Sequence, residues 1–161
     1  DYARIFSLKT TTFRQSCIYG PRQFGSEDQG WVSWFIYAAL SNKPITIYGD
    51  GKQVRDILYI DDLIYAYDLA INNPNQIKGE AFNVGGGVEH SISLMELIKM
   101  LTKIMKKDIL YQFAAVRPGD QKVYISNTEK IKNLLGWEPE VSVETGITNT
   151  LEWTKENIQQ I

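Results

Sequence analysis

One cysteine, Cys17, stands in the whole sequence, so no disulfide can close within the chain. No apolar run approaches the roughly 20 residues that a membrane-spanning helix requires, and no secretory signal is visible. Lysine and arginine number 17 against 19 acids, and no block of like charge suits a nucleic acid or an anionic membrane surface. These absences predict a reducing, cytoplasmic setting with neither nucleic-acid nor membrane partners. The familiar catalytic signatures are missing as well. There is no G-x-G-x-x-G turn, no P-loop, no G-x-S-x-G elbow and no spaced set of metal ligands, so no metal is expected. The one histidine, His90, sits beside an acid in a glycine-rich turn and reads as structural.

What remains is the composition of a globular protein. With 43% hydrophobic residues in 161, the chain suffices for one domain with a sizeable core. It opens at Asp1, without methionine, on "DYARIFSLKT", which reads as the last turn and a half of a helix running into a strand. That opening predicts a chain that begins partway through a fold.

Residues 9–19 are rich in β-branched and aromatic side chains and predict a strand closed by Gly20-Pro21. "QGWVSWFIYAAL", from Gln29 to about Leu40, is apolar on nearly every side and predicts a helix buried between other elements. Two short strands, 45–48 and 56–59, follow around a Gly-Asp-Gly turn. Asp61 or Asp62 is placed to cap the next helix, with Leu63, Tyr67, Ala70 and Ile71 on one face, ending near Asn72-Asn73-Pro74. A buried strand, 81–84, stops on Gly85 to Gly87. Ser93 and Glu96 then form a capping box before a helical stripe of Leu94, Leu97, Ile98, Leu101 and Met105. A strand at 108–113, a loop "AAVRPGDQK", a helix from Thr128 to Leu135 stopped by Gly136, and a helix from about Glu144 complete the chain. Strands and helices alternate throughout, so the fold class is α/β.

Few residues point to chemistry. "YGDGK", Tyr48 to Lys52, has the Y-x-x-x-K spacing in which a lysine on the same helical face lowers a phenol pKa, but Gly-Asp-Gly makes a helix there improbable. Lys52 reads as a solvated turn residue. Arg55 in "GKQVRD" and Arg117 in "VRPGD" each lie at an element boundary, where a guanidinium suits bidentate capture of phosphate oxygens. The alternative is two surface ion pairs with the neighbouring Asp56 and Asp120. Trp31 and Trp34 could stack on a base or sugar, although their i, i+3 spacing in an apolar helix favours core. Tyr19 and Arg22 flank a turn at a strand end, where α/β proteins place ligand contacts.

Taken in order, "RQSCIYGPRQ", "GDGKQVRDILYIDDL", "AFNVGGG", "VRPGDQK" and "LGWEP" resemble the C-terminal half of the extended short-chain dehydrogenases/reductases, the NAD-dependent nucleotide-sugar epimerases and dehydratases. The likeness runs over essentially all 161 residues. "RQFGSEDQGWVSWF", "SLMELIKML" and "WEPEVSVETGI" look most like the CDP-paratose (CDP-tyvelose) 2-epimerases. The resemblance implies the last strands of a Rossmann fold, about 1–19 and 61–87, interleaved with a small mixed α/β nucleotide-sugar domain, about 20–60 and 88–161.

It implies NAD as cofactor, a CDP-hexose as the favoured substrate, a 2-keto sugar intermediate and a homo-oligomeric whole enzyme. The glycine-rich NAD turn and the catalytic Ser/Thr, Tyr and Lys would all precede this chain, so no catalytic residue carries over. Gln15, Ser16 and Cys17 match the strand end beside the nicotinamide, and Tyr19, Arg22 and Gln23 match the loop around the hexose. Ile47 and Tyr48 match the strand lining the base and ribose pocket. Arg55 and Arg117 match the arginines on the diphosphate, and Asp120 matches an acid near the ribose. Many relatives have Asn where this chain has Cys17, in the pattern Asn-x-Tyr-Gly-Pro. The resemblance therefore does not carry an Asn-type hydrogen bond to substrate over to this position, and Cys17 is expected to fill a small space rather than act as a nucleophile.

Part of a 4-epimerase, part of a 4,6-dehydratase, and a non-catalytic nucleotide-sugar binding module are the competing readings. On any enzymatic reading the chain alone is expected to show no turnover. With the strands at 10–17 and 81–84 lacking neighbours and cover, it is also expected to aggregate or order only in part.

Overall fold

The computed structural model describes residues 1–160. Its elements are α1 (Tyr2–Ile5), β1 (Thr12–Gln15), β2 (Cys17–Tyr19), α2 (Trp31–Leu40), β3 (Ile45–Tyr48), β4 (Val54–Tyr59), α3 (Ile60–Asn72), β5 (Ala81–Val84), β6 (Ser91–Ser93), α4 (Leu94–Met105), β7 (Tyr111–Ala114), β8 (Val123–Tyr124), α5 (Glu129–Leu135) and α6 (Val143–Asn157). The class is α/β, as the alternation of patterns predicts.

The strand expected over 9–19 divides at Ser16. Its first half, β1, pairs in parallel with β5, whereas β2 pairs in parallel with β4. Ser16 is where the chain changes sheets: its N–H donates to the Val84 carbonyl at 3.0 Å and its hydroxyl to the Asp56 carbonyl at 2.9 Å. Asp56 sits fully buried at this junction. Its carboxylate accepts from the Ser16 hydroxyl, from Gly87 N at 3.2 Å and from Ser126 N at 3.1 Å, donors that offset the cost of burying a charge. Asp56 is therefore not the surface partner of Arg55 that a pair of exposed ion pairs would require.

Other expectations shift in detail. The α3 helix starts at Ile60 with Tyr59 as its N-cap residue, so neither Asp61 nor Asp62 caps it. Asp62 instead accepts from Glu140 N at 3.0 Å and Val141 N at 3.2 Å, while its carbonyl receives the Trp137 indole N–H at 2.9 Å. These bonds tie the 137–141 segment to α3. Leu63 and Ala66 are its buried apolar residues, whereas Ile71 is exposed. The strand expected at 108–113 lies at Tyr111–Ala114, and β6 and β8 are too short to show any alternation in sequence. The capping box is present: Glu96 N donates to the Ser93 hydroxyl at 3.2 Å, and Ser93 N donates to the Glu96 carboxylate at 2.7 Å.

Two hydrophobic cores result. The first gathers Tyr19, α2, β3, the middle of β4 and the inner faces of α4 and α6. The second is built from Leu58, Leu63, Ala66, Ile77, Phe82, Val84, Ile131 and Trp137. It draws Ile131 and Trp137 from beyond the boundary expected at 88.

Candidate nucleotide-sugar site

The register of two parallel pairs assembles the site. β3 runs beside β7 with Tyr48 opposite Ala114, so the chain leaving β7 emerges next to Tyr48. That chain returns as β8 alongside β4, with Arg55 opposite Tyr124. The loop between them is thus held at both ends, over Tyr48 on one side and over Arg55 on the other. It carries Arg117 and Asp120.

Arg117 lies 3.9 Å above the centre of the Tyr48 ring, close enough for a cation–π contact. Its contacts with Tyr48 and then with Asp28 hold the guanidinium pKa above its ordinary value. Arg55 donates to Asp120 at 2.7 Å and to the Val54 carbonyl at 2.8 Å. Gln53 braces the same corner, donating to the Tyr48 carbonyl at 2.8 Å and to Asp120 at 3.2 Å.

These residues line a cavity of about 370 Å³, closed on its other side by the 27–30 loop, Trp31 and Phe35. Two guanidiniums and a flat phenol on one cavity suit a polyanionic ligand with a planar or polyhydroxylated part. A smaller hollow of about 250 Å³ adjoins it, lined by Ser16, Cys17, Ile18, Gln23 and Val32. Gln29, Gly30 and Trp31 border both spaces.

Of the residues singled out in sequence, Tyr48, Arg55, Arg117 and Asp120 come together in the larger cavity, and Ser16, Cys17 and Gln23 in the smaller. Four do not join them. The Gln15 amide reaches the Tyr67 hydroxyl instead, and Arg22 is exposed in a left-handed turn at φ 67°. Tyr19 and Ile47 are buried core residues, and burial drives the Tyr19 phenol pKa upward. The side chains of these two cannot reach a ligand in this arrangement.

Burial likewise raises the Cys17 thiol, with the Trp31 contact opposing it, which fits a space-filling role. Tyr48 and Lys52 lie on a strand and in a turn, so their spacing builds no phenol–ammonium pair.

Sequence reasoning missed Glu27, Asp28 and Gln53, and favoured the core over ligand stacking for Trp31. Trp31 does pack on the first core, but its place at the N-terminus of α2, directly after Gly30 at φ 71°, also turns it into a wall of both spaces. The signal available was the run "EDQGW", in which acids and a glycine immediately precede an aromatic helix start.

Among the described residues no helix is long and apolar enough to cross a membrane, and no group of His, Cys, Asp and Glu could hold a metal ion.

Comparison with known proteins places the chain in a family. The chain is 45% identical over 159 residues to the CDP-paratose 2-epimerase of Salmonella typhi, covering 96% of this chain and 47% of that protein. It is 35% identical over 160 residues to a UDP-glucuronate 4-epimerase of Thermodesulfobacterium geofontis, covering 99% of this chain and 47% of that protein. The crystal structure of the Thermotoga maritima UDP-glucose 4-epimerase with UDP-glucose superposes with a TM-score of 0.85 at 35% identity, over 98% of this chain and 49% of that one. The chain spans about half the length of the curated relatives it matches. The profile of the NAD dependent epimerase/dehydratase family matches residues 1–85, and on that match the chain belongs to this family.

Proposed function

We propose that this chain forms the nucleotide-sugar-binding part of an NAD-dependent epimerase that inverts C2 of a CDP-hexose, as the name of its Salmonella typhi relative describes. The observation that carries the reading is the convergence of Arg55, Arg117, Tyr48 and Asp120 on one cavity. In this reading the two guanidiniums take the diphosphate, Tyr48 packs on the base or ribose, and Asp120 accepts from a ribose hydroxyl. Ile47 contributes its backbone and Tyr19 its packing, while Gln15 and Arg22, which line neither cavity, have no role in this reading. The diphosphate is remote from the reacting carbon, so binding energy gathered there holds the sugar while its ring is presented in two orientations.

The smaller hollow fits one edge of a nicotinamide. It lies just beyond the carboxyl end of the parallel β1–β5 pair, where Ser16 follows β1, and combines the Ser16 hydroxyl and the Gln23 amide with the flat Trp31 wall. Ser16, Cys17 and Gln23 would border the ring. Bound NAD would supply reversible hydride acceptance. This chain's residues orient and enclose, and none of them forms an acid–base pair. We place the enzyme in the cytoplasm as a homo-oligomer.

A second reading, a UDP-sugar 4-epimerase, is favoured by the solved relative with UDP-glucose. Calorimetric titration of CDP, UDP and dTDP against the protein and its Arg55→Ala variant tests the site. The expected loss is about 1.5–3 kcal/mol, that of a charge-assisted contact. Unchanged affinity removes Arg55 from the site, and tighter binding of UDP than CDP moves the assignment to the second reading.

A further inference from the structure

Both cavity arginines already hold a carboxylate, but on very different terms. The Arg55–Asp120 pair is only 16% and 26% exposed and is braced by Gln53 and by the Val54 carbonyl. Arg117 instead donates from Nη2 to Asp28 Oδ1 at 2.9 Å, and this pair is 41% and 86% exposed. Next to Asp28, Glu27 accepts from the Tyr48 hydroxyl at 2.9 Å. Two adjacent acids thus occupy the polar groups of the Arg117–Tyr48 stack.

Their position is built into the fold. Ser26 and Gln29 close a tight turn through N–H to carbonyl bonds of 2.8 and 3.2 Å. Below it, a side chain at Gly25 would run into the backbone of Trp34 and Gly30, so the neck is pinned against α2. Gln23 adds two ties, donating to the Ile18 carbonyl at 3.0 Å and accepting from the Ser33 hydroxyl at 2.6 Å. The neck is fixed, and the acids at its tip are exposed to water.

With Glu27, Asp28 and Asp120 facing Arg55 and Arg117, the acids on the cavity outnumber the bases. A phosphate-bearing ligand therefore meets like charge unless carboxylates leave. The exposed pair is the weakly held one, and phosphate oxygens offer Arg117 a stronger, bidentate partner.

We infer that Asp28 is a resident competitor: its carboxylate holds Arg117 in place over Tyr48 and is exchanged for ligand phosphate on binding, with Glu27 released from Tyr48 in the same event. This rests on the nucleotide-sugar reading of the cavity and adds the residue that sets its affinity for anions.

The test is titration of the full chain and its variants with CDP and, separately, with inorganic pyrophosphate, which lacks base and sugar. Asp28→Asn is expected to bind both probes about fivefold more tightly, because an exposed competitor is removed without loss of side-chain shape. The gain is expected to disappear when Asp28→Asn is made on an Arg117→Ala background. Equal or weaker binding by Asp28→Asn, or a gain that survives without Arg117, overturns the exchange while leaving the nucleotide-sugar reading intact. A gain for pyrophosphate with no binding of CDP by the parent protein upholds the exchange and overturns that reading. Binding of neither probe by any variant overturns both.

Discussion

The two cores of this protein differ in how fully the chain covers them. The first is walled by α2, α4 and α6 around β3 and β4, and its central residues Ile36, Ile45, Ile47, Leu97 and Leu101 are excluded from solvent. The second is closed on one side by α5 and Trp137, but α1 leaves Tyr2 and Ile5 exposed and α3 leaves Ile64 and Ile71 exposed. β1 and β5 are each other's only strand partners among the described residues. Apolar cover is what separates global from local opening, so the β1–β5 region should exchange its amide hydrogens first and the first core last. The larger cavity stands on the better-covered side, lined by Phe35 of α2 and Thr46 and Tyr48 of β3. Its polar groups are therefore positioned by the part of the molecule least prone to open.

The sharpest way to break that contrast is Trp137→Ala. The indole is fully buried, and its N–H donates to the Asp62 carbonyl, so the substitution removes both the main cover of the second core and a tie to α3. A loss of about 3–5 kcal/mol is expected in denaturant unfolding. Hydrogen exchange should show it concentrated in α3 and β5, with α2 and β3 little affected. Equal loss of protection across both cores would show that they unfold as one unit and that the distinction is only geometric.

A smaller effect is expected where the first core is tightest. Gly146 lies inside α6, where an added methyl would run into the Tyr19 ring and hydroxyl and come within 2.9 Å of the Tyr59 ring. Overpacking of this kind costs about 1–3 kcal/mol, of which up to about 1 kcal/mol is returned by the better helix propensity of alanine. The contact with the Tyr19 hydroxyl is far inside van der Waals distance, so the upper part of that range applies, about 2–3 kcal/mol, and Gly146→Ala should destabilise by about 1–2 kcal/mol net. Adding Tyr19→Phe should recover part of that loss, since the clashing hydroxyl is gone. Full tolerance of Gly146→Ala would mean that the first core is loosely packed, contrary to its burial.

The same contrast governs what could be read in sequence. The α4 helix was legible because its box and stripe are local: Ser93, Glu96, Leu97, Ile98 and Leu101 take the roles their spacing assigns. The α3 face was not, because Ile71 has the period of a buried residue but stays exposed, with no element packed on it among the described residues, and burial depends on a partner rather than on spacing. Asp56 and Asp62 lie in one short stretch, yet both are buried because their donors come from residues 30 to 80 positions away. No local pattern announces such donors. In the cavity, Arg55 and Arg117 stood out as guanidiniums at element boundaries and family resemblance supplied their role, whereas Asp120 gained its ligand role through the resemblance alone. Asp28 and Glu27 escaped because a charged loop tip looks solvated until the partner strand is known.

The smallest effect concerns the helix cap at the edge of the first core. Glu96 accepts from the Ser93 hydroxyl at 2.6 Å and from its N–H at 2.7 Å, and these bonds depress the carboxyl pKa, the hydroxyl contributing most. A depressed carboxyl adds stability that is present above its unfolded pKa and is lost as pH falls through the folded value. Stability should therefore decline below the usual glutamate range, near pH 4 and under. Ser93→Ala removes the hydroxyl, costs about 1 kcal/mol at neutral pH, and should flatten that acid limb. Glu96→Gln should flatten it too while keeping the Ser93 to Glu96 backbone bond, so its neutral-pH loss should be the smaller of the two. An acid limb unchanged in both variants would assign it to groups other than Glu96.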